Sequence, residues 1–113
     1  LNKFLEHLQN YTLSSNSIKK KELWDVKGIL KNKSNEELKF DLRPITKLNE
    51  NDLGKKGYFE SKADKIVFDT IDKWIIVDKE ELHNFLKRNK QKIIYLEYIL
   101  NNFEWNIIIR KLN

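Results

Sequence analysis

Cysteine is absent from the 113 residues, so neither a disulfide framework nor a thiolate zinc site is available. Methionine is absent too, position 1 included, which points to a trimmed chain or a piece of a longer polypeptide. Two histidines, His7 and His83, are too few for a histidine-rich metal site. The lone proline, Pro44, argues against a disordered linker. No apolar run approaches the roughly 20 residues that a membrane helix needs, and the N-terminus lacks the pattern of a signal peptide. A cytoplasmic protein without a membrane segment is therefore expected. Arginine is scarce: only Arg43, Arg88 and Arg110 among 22 basic residues.

What is present is a basic, half-apolar chain. Apolar residues make up 40%, charged residues 35%, and the net charge is +5. The length suits one domain, 1–113, with a single core and no room for a second. A positive balance favours phosphate-rich partners, because lysine and arginine displace counterions from nucleic acid. The signal is weak here. Lysine, asparagine and isoleucine are abundant together, as an AT-rich genome produces without selection for binding.

Periodicity divides the chain. Leu1, Phe4, Leu5 and Leu8 recur at helical spacing, so residues 2–10 are expected to form a short amphipathic helix. The polar run 14–17 and Lys19-Lys20-Lys21 follow. Residues 22–43 read as a hairpin: a strand from Leu23 to Gly28, a turn from Lys31 to Asn35, and a strand from Glu36 to Leu42 that Pro44 ends. Residues 45–61, with Gly54 and Gly57, mark a long loop of the kind that is usually functional or mobile. Ile66-Val67-Phe68 and Trp74-Ile75-Ile76-Val77 suggest a second hairpin. Asp78 with Glu81 three residues later matches a capping box, opening a helix whose stripe is Leu82, Phe85 and Leu86. Ile93, Leu96, Ile99, Leu100 and Phe103 support another helix, and 105–110 a closing strand. The expected class is α+β: an N-terminal helix, an antiparallel meander of hairpins, one or two helices and a C-terminal strand.

The hairpin carries an acid on its first strand, Asp25, and Glu37-x-Lys39 on its second. Two carboxylates can hold a divalent cation, and a lysine can orient water or steady a charged phosphorus. Glu37, Lys39 and Asp41 share one strand face by alternation. A turn centred between Lys33 and Ser34 places Asp25 next to Asp41 rather than Glu37, and a turn nearer Lys31, or a bulge, is needed to reach Glu37. Three assignments stay open: Asp25 with Glu37 and Lys39, which is preferred; Asp25 with Asp41; or Asp25-Val26-Lys27 as the acid-x-lysine element, with its first acid from Glu22 or Glu6.

This order of elements, with that acid and Glu-x-Lys, resembles the PD-(D/E)xK nuclease superfamily, which includes restriction endonucleases and Holliday junction resolvases. The downstream passage Ala63-Asp64, apolar strand, Trp74, apolar strand, helix resembles several small members of the group. The usual proline before the first acid is replaced by Trp24. The resemblance implies a restriction-endonuclease-like core and hydrolysis of phosphodiester bonds in DNA with Mg2+ or Mn2+. It further implies Asp25, Glu37 and Lys39 as catalytic residues, and Asp25, Glu37 and Asp41 as metal-binding acids, with Glu6 at a place where some members supply an extra acid. Lys19, Lys20, Lys21, Lys55, Lys56 and Lys62 are the expected backbone-contact lysines, and recognition is expected to need additional elements or a homodimer partner. Two rival readings accompany it: a catalytically inactive nucleic-acid- or protein-binding module of the same fold, and a toxin or phage accessory domain acting on RNA or a protein. For Trp24, Trp74 and Trp105 core packing is favoured over base stacking. Asp64 is expected to start a strand or cap a turn, and His83 to lie at a surface or boundary.

Overall fold

The computed structural model describes residues 2–44, 47–49, 60–89 and 93–112. Among the described residues twelve elements follow in chain order: α1 (Asn2–Leu5), β1 (Leu8–Leu13), α2 (Asn16–Glu22), β2 (Val26–Leu30), β3 (Leu38–Arg43), β4 (Lys47–Asn49), β5 (Lys65–Asp69), β6 (Lys73–Asp78), α3 (Lys79–Arg88), β7 (Ile93–Tyr95), α4 (Leu96–Asn102) and β8 (Asn106–Arg110). The class is α+β. Six strands form one mixed sheet in the order β1-β2-β3-β5-β6-β8, and β4 pairs with β7 separately.

Two expectations fail. The helix over 2–10 ends after Leu5, and residues 8–13 form an edge strand beside β2. Phe4 and Leu8 are buried in the same core, a demand that a short helix followed by a strand meets as well as one helix does. Tyr11 and Thr12 favour the extended form. The meander is also not antiparallel throughout. β3 and β5 run parallel, Phe40 opposite Lys65 and Arg43 opposite Phe68. Residues 44–64 are long enough for the return crossing that a parallel pair requires. The hairpin of β5 and β6, the helix after Asp78 and the closing strand stand where the sequence placed them. The helix expected from Ile93 begins at Leu96, after the short β7. The long loop over 45–61 lies mostly outside the described residues, and within it 47–49 form β4.

The central strands are apolar on both sides, so the sheet carries a core on each face. Ile66 and Phe68 of β5, with Ile75 and Val77 of β6, pack under Leu82 and Leu86 of α3 and Ile99 of α4. Val67, Trp74 and Ile76 point to the other face, where they meet Phe4, Val26 and Phe40. Phe4 holds α1 down through an edge contact with the Phe40 ring at 5.5 Å and a tilted one with the Trp74 ring at 5.8 Å. Trp24 and Trp74 are core residues, and Trp105 is half-buried with the Lys65 ammonium 3.9 Å from its ring centre.

Local chemistry sets the ends of the elements. The Asp78 carboxylate accepts the Glu81 amide at 3.0 Å, an N-cap worth about 1 kcal/mol. The Glu81 carboxylate accepts the amides of Glu104 at 2.9 Å and Trp105 at 3.4 Å, so it fastens α3 to the chain entering β8. Asp64 starts β5 by a two-way link to β3: its amide donates to the Lys39 carbonyl and its carboxylate accepts the Lys39 amide, both at 2.8 Å. His83 is half-buried on α3.

Candidate active site

The turn between α2 and β2 builds the site. Ser15 caps α2 by accepting the Ile18 amide at 3.2 Å. The helix stops at Leu23, whose φ of 69° is left-handed and whose amide donates to the Lys19 carbonyl. A bulky residue rarely adopts that conformation, and it turns the chain sharply from α2 towards β3. Asp25 follows two residues later. Its amide donates to the Phe40 carbonyl at 2.7 Å, and its Oδ2 accepts the Leu42 amide at 2.8 Å. Asp25 therefore holds the peptide groups on both sides of Asp41.

Asp41 is 2% exposed. Its Oδ1 accepts from Arg43 Nε at 3.2 Å, and its Oδ2 accepts from Arg43 at 2.9 Å and from the Ser61 hydroxyl at 2.9 Å. Strand alternation places Arg43 on the same side of β3 as Asp41, which makes this fork possible. A buried carboxylate needs such partners, because desolvation of an unpaired charge costs several kcal/mol.

Lys19 joins the two acids. Its ammonium donates to the Leu23 carbonyl at 2.7 Å and stands 3.0 Å from Asp25 Oδ1 and 4.0 Å from Asp41 Oδ1. Three oxygens thus surround one positive charge. Asp25 also lines a cleft of about 190 Å³ with Leu42, Pro44 and Asp69. Asp69 is paired with the Lys111 ammonium.

The other residues expected at the site are distributed as follows. The register of β2 and β3 sets Lys27 opposite Lys39, which centres the hairpin on Lys33. Glu37 is exposed, with its Oε1 3.9 Å from the Lys27 ammonium, and it does not join Asp25. Lys39 lies on the Asp41 side of β3 but turns to Glu22, 3.7 Å away, and stands over the Trp24 ring at 5.6 Å. The Trp24 indole donates to the Glu22 carboxylate at 2.8 Å. That hydrogen bond, together with Lys39 and Lys62, holds the Glu22 carboxyl below its ordinary value of 4.5. Lys62 is exposed, and its amide donates to the Glu22 carbonyl at 2.8 Å. Lys20 and Lys21 are exposed on α2. Lys55 and Lys56 lie outside the described residues, and Glu6 is exposed beyond α1.

Two carboxylates and a backbone carbonyl are oxygen donors of the kind that a small divalent cation takes. Mg2+ is commonly held by one or two carboxylates, with water completing its shell. Asp25 Oδ1, Asp41 Oδ1 and the Leu23 carbonyl already converge on one positive charge. Among the described residues, no three acidic or histidine side chains form a metal-binding group, so the cluster offers two carboxylates and a carbonyl. The sequence leads one to expect Lys19 as a backbone-contact lysine, and its place between the acids has no sequence signal. Arg43 did have one: Asp41-Leu42-Arg43 is an acid and a base two apart on a strand. Ser61 had none.

Among the described residues, no helix is long and apolar enough to cross a membrane. No family model, curated protein or solved structure matches this chain.

Proposed function

We propose that the chain is a metal-dependent phosphodiesterase of the PD-(D/E)xK type, with DNA as its substrate and its centre at Asp25 and Asp41. The observation that carries this reading is the convergence of Asp25, Asp41 and the Leu23 carbonyl on the Lys19 ammonium. In this arrangement Asp41-x-Arg43 takes the place of Glu37-x-Lys39 as the acid-x-base element. Bound Mg2+ or Mn2+ would supply charge neutralisation at the scissile phosphate and a more acidic water.

The chain's own residues have separable tasks. The Leu42 amide orients Asp25 and leaves its Oδ1 turned to the cation position. Arg43 and Ser61 fix Asp41 so that it need not reorganise during the reaction. Lys19, once released from the acids, is a mobile ammonium that can meet a non-bridging phosphate oxygen. Lys39 and Lys62, on the Glu22 side, add positive charge along the approaching backbone.

A second reading is a binding module of the same architecture. It is favoured by the pairing of Asp41, whose two oxygens are both engaged by Arg43 inside the fold. Cleavage assays with plasmid DNA and a labelled RNA separate the two. The phosphodiesterase reading expects Mg2+-dependent cleavage that falls by about a hundredfold in Asp25→Asn and in Asp41→Asn, and persists in Glu37→Gln. Binding of DNA without cleavage under any divalent cation selects the module. Cleavage of RNA alone keeps the centre and changes the substrate.

A further inference from the structure

The six-stranded sheet has two edges, β1 and β8, and they are built differently. Open edges are templates for pairing with another strand, and proteins blunt them with bulges, prolines or charges. β1 is blunted. Its register with β2 shifts between Gln9 and Thr12, and Asn10 there has a φ of 52°. The bulge bends the outer edge of β1 out of a regular ladder.

β8 carries only one of these devices, a single charge at its end. Asn106-Ile107-Ile108-Ile109-Arg110 is a regular strand without proline or glycine, and only its last residue is charged. The Lys111 amide donates to the Asp72 carbonyl at 2.9 Å, which fixes the phase of the ladder with β6. In an antiparallel pair the inward-bonding residues alternate. Ile107 and Ile109 therefore bond to β6, while Asn106, Ile108 and Arg110 direct their amides and carbonyls outward. The Ile108 side chain is 41% exposed at the centre of this edge.

We infer that β8 is a homodimer interface, at which a second copy of this chain adds its own β8 antiparallel about a two-fold axis through Ile108. The pattern is self-complementary. With Ile108 opposite its copy, Asn106 faces Arg110 of the other chain and Ile107 faces Ile109. Every outward amide and carbonyl of the strand then meets a partner. No like charges oppose each other, an arrangement that would destabilise the pair. The result is one sheet continuous through both chains. The inference is independent of the phosphodiesterase reading, since β8 contributes nothing to the Asp25 and Asp41 centre.

Absence of cysteine makes the test clean. Directly opposed residues in a hydrogen-bonded antiparallel pair have Cα atoms about 5.5 Å apart, within the span of a disulfide at roughly 4.4–6.8 Å. The full chain is examined by sedimentation equilibrium, and Ile108→Cys is oxidised alongside Thr12→Cys on the bulged edge. The expected results are a dimer mass for the wild-type chain, a covalent dimer for Ile108→Cys, and none above background for Thr12→Cys. Ile108→Lys, at a side chain already part-exposed, weakens dimerisation by about tenfold. A monomer mass across the micromolar range overturns the inference. So does a dimer whose Ile108→Cys form cross-links no better than Thr12→Cys, because the interface then lies elsewhere.

Discussion

Asp25 brackets Asp41: its amide bonds to the Phe40 carbonyl before Asp41, and its carboxylate to the Leu42 amide after it. The two acids are therefore tied by the backbone as well as by Lys19. Their spacing is set by these two hydrogen bonds beside the start of the β2–β3 pair.

Asp41 supports the fold as well as the proposed chemistry. Asp41→Ala removes the carboxylate to which Arg43 and the buried Ser61 hydroxyl donate. Breaking a buried pair from one side costs about 3 kcal/mol or more, and urea denaturation measures it. Asp41→Asn keeps an oxygen for Ser61 and is expected to lose less. Equal losses in the two variants would show that the charge, and not the hydrogen-bonded shape, holds this corner.

Lys19 and a divalent cation are expected to compete for the same oxygens. Lys19→Gln removes the ammonium from between Asp25 and Asp41, and loses up to about 1 kcal/mol at low salt, as a part-exposed pair does. Added Mg2+ should then raise the melting temperature of Lys19→Gln more than that of the wild-type chain, by linkage to binding. An identical Mg2+ response in both proteins contradicts the competition.

Glu22 gives a pH signature. Its carboxyl titrates below the ordinary value of 4.5, chiefly because the Trp24 indole donates to it. Between the lowered value and 4.5 the unfolded chain binds more protons at this position than the folded one does. Stability from Glu22 is thus fully present above pH 4.5 and disappears as the pH falls through the folded value. Melting curves of wild type and Glu22→Gln should differ at neutral pH and converge in acid. A difference that grows on acidification has the wrong sign.

Gly28 leaves room for the bulge on β1. A Cβ at position 28 would stand 3.1 Å from Tyr11 Cβ, 3.2 Å from its Cα and 3.3 Å from the Gln9 carbonyl oxygen. Two of those neighbours are backbone, so β1 must move. Gly28→Ala is expected to cost about 1 kcal/mol, with faster amide hydrogen exchange in β1 and β2 and little change in β5 and β6. Uniform acceleration across the sheet would place the strain elsewhere.

Elements with strong local signals were legible in the sequence. The β5–β6 hairpin has two apolar runs around a polar turn, and α3 has both a cap and a stripe. The N-terminal segment departs from the expected helix because Phe4 and Leu8 satisfy one core in either conformation, and a short apolar pattern does not separate helix from strand. The parallel pairing of β3 with β5 depends on contacts across a long connection, to which periodicity is blind. Alternation put Asp41 and Arg43 on one side of β3, so half of the cluster was readable. Lys19 and Ser61 were not, since a helix end and a segment twenty residues past Asp41 meet there only through the fold.

The most direct test of the proposed centre is an anomalous difference map from crystals soaked in saturating Mn2+. A peak at Asp25 and Asp41 is expected, with the Lys19 ammonium displaced from the position it holds between them. A map with no peak at these two carboxylates, from crystals whose lattice leaves the cleft open, would contradict it.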